Sequence, residues 1–180
     1  MRSYQKRTTR QILAENQQRT PPQQLRNAGV WLHNIRSMYN VGAAFRNCDA
    51  FGCGQLYLSG YTPRPPRPEI SKTALGAEET VPWLYIEDPV AYLKQAKQNG
   101  VRLIGIEQTH ESESLTAFRV ESDDKTIFFF GNEVTGLDED LLPLIDQCLE
   151  IPQFGFKHSL NVSVSVGTVL YHILLTSEKK

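Results

Sequence analysis

The chain has 180 residues, 40% of them hydrophobic, with 10 prolines, 12 glycines and a formal net charge of −1. That length supports one domain with a substantial core and excludes two full ones. Cys48, Cys53 and Cys148 form no CxxC pair and are odd in number. Neither a disulfide framework nor a zinc site is therefore expected, nor any other metal. No stretch approaches the ~18 apolar residues of a membrane span, and the N-terminus lacks the apolar core of a signal peptide. A cytoplasmic protein without membrane contact is the expectation.

The small net charge hides an asymmetry. Residues 1–30 carry Arg2, Lys6, Arg7, Arg10, Arg19 and Arg26 against Glu15 alone, a local +5 that leaves −6 for the remainder. A basic arm on a mildly acidic body suits a phosphate backbone, although a solvated extension would look the same. Residues 1–28 read as this extension, with a polar helix over 5–18 ended by Thr20-Pro21-Pro22. Residues 29–180 read as the folded domain.

The first strand is expected at Val30 to His33, followed by a loop through Asn34 and Arg36. A helix over Val41 to Ala50 follows, with Asn40 as its N-cap. Val41, Ala44, Phe45 and Cys48 have the i, i+3, i+4, i+7 spacing of an inward face, which puts Arg46 near the outer side. Gly52 ends this helix and Gln55 to Ser59 is the next strand, a strand–helix–strand unit that favours a parallel sheet. The segment from Tyr61 to Lys72 is a stiff proline-rich loop carrying Arg64, Arg67 and Lys72. It is either a clamp on phosphates or a plain surface connection.

Further strands are expected at Val81 to Ile86, Val101 to Ile106, Thr126 to Phe130 and Gln147 to Ile151. Helices are expected at Val90 to Gln98, entered through Asp88-Pro89, and at Leu137 to Ile145. Thr126-Ile-Phe-Phe-Phe130 is a continuous apolar run of the kind buried on both faces. It delivers Gly131-Asn-Glu-Val-Thr-Gly136 to its C-terminal end. The last helix is expected after Ser159, a good N-cap, although Val162, Val164 and Val166 alternate with small residues as in a strand. Ser163, Ser165 and Gly167 would let that helix lie close to a neighbour. Strands alternating with helices make an α/β layered domain whose strand-end loops are the place for a ligand.

The usual nucleotide fingerprints are absent. The turn from Asn34 to Asn40 has no Gly-x-Gly-x-x-Gly set, and no phosphate-binding Gly-Lys-Ser/Thr loop occurs. The glycines sit late instead, at Gly131, Gly136 and Gly155, where a bare backbone can approach a flat ligand.

Three stretches carry a resemblance. They are Asn34-Ile-Arg-Ser-Met-Tyr-Asn40-Val-Gly42-Ala-Ala-Phe-Arg46, then Phe129-Phe-Gly131-Asn132-Glu133-Val-Thr-Gly136-Leu137, then Ile151-Pro152 followed by Ser159-Leu160-Asn161. In this order they resemble the three signature motifs of the SpoU (TrmH) family of RNA ribose methyltransferases, within the SPOUT superfamily. Lys72-Thr-Ala-Leu-Gly-Ala77 also looks like an element of that family. Two departures are mild: Val134-Thr135 replaces a glycine-containing version of the second motif, and Ser165 stands where alanine is usual.

The resemblance implies a Rossmann-like parallel sheet with a C-terminal trefoil knot, which sequence periodicity never shows because true knots are rare. It implies S-adenosylmethionine held at Thr109, Gly131, Ile151 and Leu160, largely by backbone groups. It implies methyl transfer to a ribose 2′-hydroxyl in tRNA or rRNA, by a homodimer in which Arg46 works with Asn40, Glu133, Ser159 and Asn161. Arg36, Arg64, Arg67 and Lys72 are the candidate RNA contacts. A non-catalytic RNA-binding module on the same fold is the alternative, with a small-molecule nucleotide enzyme as a weaker third.

Overall fold

The structure is a computed structural model that describes residues 3–177. Arg2 of the basic arm and the last three residues of the expected domain lie outside the described residues. Seven strands, all paired in parallel, form one sheet in the order β3-β2-β1-β6-β4-β7-β5. They are β1 (Ala28–His33), β2 (Gln55–Ser59), β3 (Trp83–Ile86), β4 (Arg102–Ile106), β5 (Glu113–Ser114), β6 (Thr126–Phe130) and β7 (Gln147–Glu150). Seven helices accompany them among the described residues: α1 (Thr9–Asn16), α2 (Gln23–Arg26), α3 (Met38–Phe51), α4 (Pro68–Ala74), α5 (Ala77–Thr80), α6 (Pro89–Gln98) and α7 (Val162–Ser177).

Strand β6 lies at the centre between β1 and β4, and all five of its residues are buried. Its side chains alternate between two cores. Phe128 and Phe130 join Val30, Leu32, Phe45, Val166 and Leu170 beneath α3 and α7. Ile127 and Phe129 join Trp31, Leu93 and Leu103 beneath α6. There Trp31 is stacked between Tyr57 and Phe129, with ring centroids 5.2 and 5.0 Å away.

The sequence reading needs four corrections. Helix α3 begins at Met38, so its N-cap is Ser37, whose hydroxyl accepts from Asn40 N–H; Asn40 sits inside the first turn and is free for other work. Helix α7 begins at Val162, and Asn161 caps it by accepting from Ser163 N–H at 2.9 Å, in place of Ser159. The stretch Leu137 to Ile145 is no α-helix but a single 3-10 turn at Leu142–Leu144, since Pro143 removes a donor the helix would need. The proline-rich loop ends early, because Pro68 opens α4 and puts Lys72 on that helix. The basic extension also divides in two. Helix α1, capped by a reciprocal Thr8–Gln11 box, buries no residue, whereas Leu25 of α2 is fully buried in the core.

Two close approaches fix the helical layer. Asn47 of α3 donates to the Ser163 carbonyl of α7 at 2.7 Å and lies against Gly167, so the small residues of α7 are used in packing within the chain. On the other side of α3, a Cβ built at Gly42 would stand 2.2 Å from the Ile70 carbonyl oxygen and from Thr73 Oγ1 of α4. Gly42→Ala should therefore destabilise the fold by about 1–3 kcal/mol through overpacking. Urea unfolding checks this; a midpoint equal to that of the unsubstituted protein would mean that α4 moves away freely.

Candidate active site

In a parallel sheet every strand ends on the same edge, and ligands collect there. The loops leaving β4, β6 and β7 meet at that edge around a cleft of about 290 Å³, and the loop leaving β1 is bonded to the β6 loop beside it. Its walls include Ile106, Glu107, Gln108, Gly131 to Gly136, Glu150, Ile151, Gln153 and His158 to Leu160.

The loop after β6 folds back on itself. Asn132 N–H donates to the Gly136 carbonyl at 2.9 Å and Gly136 N–H returns to the Asn132 carbonyl at 3.0 Å. This leaves no room at Gly131, where a Cβ would stand 2.2 Å from the Gly136 backbone. Glu107 at the end of β4 accepts from Leu137 N–H at 2.9 Å and ties the loops of β4 and β6 together. Asn132, almost fully buried, uses its whole side chain: Nδ2 donates to the Asn34 carbonyl and to the Tyr61 hydroxyl, and Oδ1 accepts from Val134 and Thr135 N–H.

Glu133 points the other way, toward α3. Its carboxylate accepts from Arg36 N–H at 3.0 Å, Ser37 N–H at 3.2 Å and Asn40 Nδ2 at 3.0 Å. The backbone donors lead into a helix N-terminus, where negative charge is favoured. The Asn40 Oδ1 atom then accepts from Asn161 Nδ2 at 3.0 Å. A chain of side-chain hydrogen bonds, Glu133 to Asn40 to Asn161, thus joins the loop of β6, the first turn of α3 and the cap of α7. Burial alone would raise the Glu133 pKa, but the bonds from Arg36, Asn40 and Ser37 outweigh it and hold it below the ordinary 4.5.

A second network steadies the β1 loop. Trp31 Nε1 donates to Ser59 Oγ at 2.7 Å, the Ser59 hydroxyl lies 2.7 Å from His33 Nδ1, and His33 Nε2 lies 3.0 Å from Asp138 Oδ2. Asn34, at φ 55°, also donates to Asp138 at 2.8 Å, and its Oδ1 accepts from Tyr61 N–H at 3.1 Å.

Among the residues singled out in the sequence, Gly131, Glu133, Ile151, Ser159 and Leu160 line the cleft, and Asn40 and Asn161 adjoin it through Glu133. Thr109 stands one residue beyond the lining, which ends at Gln108 on that loop. Arg46 is exposed on the outer side of α3 and does not line this cleft. Arg36 and Arg67 are exposed at the loops after β1 and β2. Arg64 lies 4.2 Å over the Tyr85 ring and 3.8 Å from Glu87, and Lys72 lies 5.9 Å over the Tyr39 ring. Sequence reasoning missed Asn34, Tyr61, Glu107 and the bonding role of Asn132. Only Asn34 left a signal, as an asparagine directly after a strand, where the left-handed conformation is tolerated.

The fold is α/β, with a seven-stranded parallel sheet and a cleft at its strand ends, and the comparisons narrow it. The chain belongs to the SpoU rRNA Methylase family, whose model matches residues 27–171. It is 29% identical over 154 residues to the tRNA (guanosine(18)-2′-O)-methyltransferase of Aquifex aeolicus, covering 84% of this chain and 70% of that protein. It is 32% identical over 139 residues to the 23S rRNA (guanosine-2′-O-)-methyltransferase RlmB of Neisseria meningitidis, covering 77% of this chain. It is also 32% identical over 134 residues to the mouse tRNA (guanosine(18)-2′-O)-methyltransferase TARBP1, covering 73% of this chain. The chain spans 54% of the Neisseria protein and 8% of the mouse protein. Among solved structures, the TrmH/SpoU tRNA modifying enzyme of A. aeolicus superposes with a TM-score of 0.76 at 24% identity, over 93% of this chain and 85% of that one. The SpoU methyltransferase AviRb of Streptomyces viridochromogenes, in complex with AdoMet, superposes with a TM-score of 0.71 at 23% identity, over 80% of this chain and 58% of that one.

The Glu133 network has a consequence for acid stability. Because the folded pKa is below the unfolded one, the stabilisation is fully present above about 4.5 and is lost as pH falls through the lowered folded value. Urea unfolding at pH 7 and pH 3 should show a larger acid loss for the native sequence than for Glu133→Gln. Equal acid sensitivity in the two would mean that the carboxylate is not held by these bonds.

Proposed function

We propose that the chain is an S-adenosylmethionine-dependent methyltransferase acting on a ribose 2′-hydroxyl of RNA, tRNA or rRNA, as a cytoplasmic homodimer with a C-terminal trefoil knot. The observation that carries this reading is the hydrogen-bonded chain Glu133–Asn40–Asn161, which brings the three family motifs together at the mouth of the cleft. The named activities of the Aquifex, Neisseria and mouse relatives support it.

The cleft suits this cofactor on its own chemistry. Its acidic residues are Glu107, Glu133 and Glu150, the Glu133 carboxylate being turned toward α3, and there is no lysine or arginine in the lining among the described residues. Such a surface favours a ligand with positive centres and repels a phosphate. Ile151, Leu160 and Val134 offer apolar area for a flat ring, and the loops at Gly131, Ile151 and Leu160 offer backbone groups, with Thr109 at the edge. The bound cofactor supplies an activated methyl group, so the protein's task is to position the hydroxyl and manage its proton.

Glu133 and Asn40 hold the β1 loop against the β6 loop. Asn161 holds the start of α7 against both, and Ser159 is part of the cleft wall. Arg46 acts as a clamp on the alkoxide developing at the ribose and on the adjacent phosphate. A guanidinium with a pKa above ~12 is a poor base, so the proton leaves to phosphate or water. RNA approaches over the rim, where Arg36, Arg64, Arg67 and Lys72 take its phosphates.

Two features support the dimer. Arg46 does not line the cleft of its own subunit, and on this reading it serves the partner's. Val164, Tyr171 and Leu175 expose an apolar stripe on α7, and Phe154 and Phe156 are bare in the preceding loop. A contact between the β4 loop and the loop before α7, where Gln108 Nε2 donates to the His158 carbonyl at 2.8 Å, is consistent with the knot. Free thiols at Cys48, Cys53 and Cys148 fit a reducing cytoplasm.

The test is transfer of a labelled methyl group to unfractionated tRNA and rRNA, with calorimetry for S-adenosylmethionine. Arg46→Ala should reduce transfer by about 10²–10³-fold, the usual effect of removing one charge-stabilising donor, while cofactor affinity stays within a few-fold. Near-normal turnover would remove Arg46 from this role. No binding of the cofactor by the native chain would contradict the whole reading and leave a bare RNA-binding module.

A further inference from the structure

Tyr61 opens the loop after β2 and is anchored at both ends. Its N–H donates to Asn34 Oδ1 at 3.1 Å, and its hydroxyl oxygen accepts from Asn132 Nδ2 at 2.7 Å. Both anchors are themselves fixed: Asn34 bonds to Asp138, and Asn132 is only 7% exposed with every side-chain donor and acceptor engaged. Yet 60% of Tyr61 is exposed to solvent. A tyrosine recruited for packing would bury its ring. Here the polar tip is pinned to a cleft residue while more than half of the residue is left open to solvent.

The surroundings match that arrangement. Arg36, two residues beyond Asn34, is exposed, and its guanidinium has no hydrogen bond or ion pair among the described residues. Arg64, three residues beyond Tyr61, is held 4.2 Å over the Tyr85 ring. A rigid bare aromatic ring flanked by cations is the combination that holds single-stranded nucleic acid, with the ring stacking a base and the cations taking phosphates. An acidic cleft disfavours phosphates, which leaves the exposed arginines outside it to hold the backbone of a nucleotide whose ribose enters.

We propose that the open face of Tyr61 is the stacking platform for an unpaired base of the substrate RNA, beside the nucleotide whose ribose enters the cleft. This rests on the RNA methyl-transfer reading above and adds to it a preference for looped or single-stranded RNA over duplex. Its chemistry is base-tolerant, because every base offers a π face.

The experiment uses a single-stranded RNA decamer containing 2-aminopurine, the same sequence as a duplex, and the Tyr61→Leu, Tyr61→Phe and Tyr61→Trp variants with S-adenosylhomocysteine present. The native chain should quench 2-aminopurine in the single strand and not in the duplex. Tyr61→Leu should bind the single strand about tenfold more weakly without quenching, as expected for one lost stack. In methyl transfer to unfractionated RNA its KM should rise with kcat retained, and its affinity for S-adenosylhomocysteine should stay within twofold. Tyr61→Trp and Tyr61→Phe should bind and quench as the native chain does. Absence of quenching by the native chain, or native-like binding by Tyr61→Leu, would overturn the proposal. So would equal losses in Tyr61→Phe and Tyr61→Leu, which would assign the effect to the bond with Asn132. A native chain that quenches but methylates no RNA would sink the enzymatic reading and leave the platform standing.

Discussion

Glu133 accepts three hydrogen bonds from the β1 loop and the first turn of α3, and the cleft depends on that carboxylate more than on any other group. Arg36 and Ser37 contribute backbone donors that precede a helix and have no partner within it. A carboxylate arriving from another strand satisfies them and is itself held in its charged form. Asn40 then passes the constraint to Asn161 and so to α7. Three segments far apart in the chain are located relative to one another by atoms within hydrogen-bond reach.

The sheet makes that meeting possible. Because all seven strands run parallel, the loops after β1, β4, β6 and β7 emerge on one edge. The central strand is buried on both faces, so these loops rest on a support with little freedom to shift. Charge is divided across the same edge. Glu107 and Glu150 line the cleft, while Arg36, Arg64 and Arg67 are exposed on the loops after β1 and β2.

Much of the scaffold was legible in the residues. The runs Gln55–Ser59 and Thr126–Phe130 are strands over the residues that their apolar composition indicates, because a short buried strand reports itself locally. Helix α6 starts at Pro89 behind Asp88 for the same reason. Ends governed by competing polar residues were not legible. Ser159 and Asn161 are both good caps two residues apart, as are Ser37 and Asn40 three apart, and only tertiary bonds choose between them. Leu137 and Leu141 have helical spacing and are both buried in the α6 core, but Pro143 and the Asp138 bonds turn the chain there without a helix. The site was legible as three motifs in order; their contacts were not, because Glu133 and Asn40 are 93 residues apart and Asn40 and Asn161 are 121 apart. Tyr61 left no signal, since nothing local distinguishes a pinned exposed ring from a loop tyrosine.

The most direct test of the account is a crystal structure of the protein with S-adenosylhomocysteine. The account predicts the ligand between Gly131, Ile151 and Leu160, with Glu133, Asn40 and Asn161 joined as described and the partner subunit's Arg46 facing the position of the missing methyl group. A ligand bound elsewhere, or a cleft that no arginine of either subunit approaches, would contradict it.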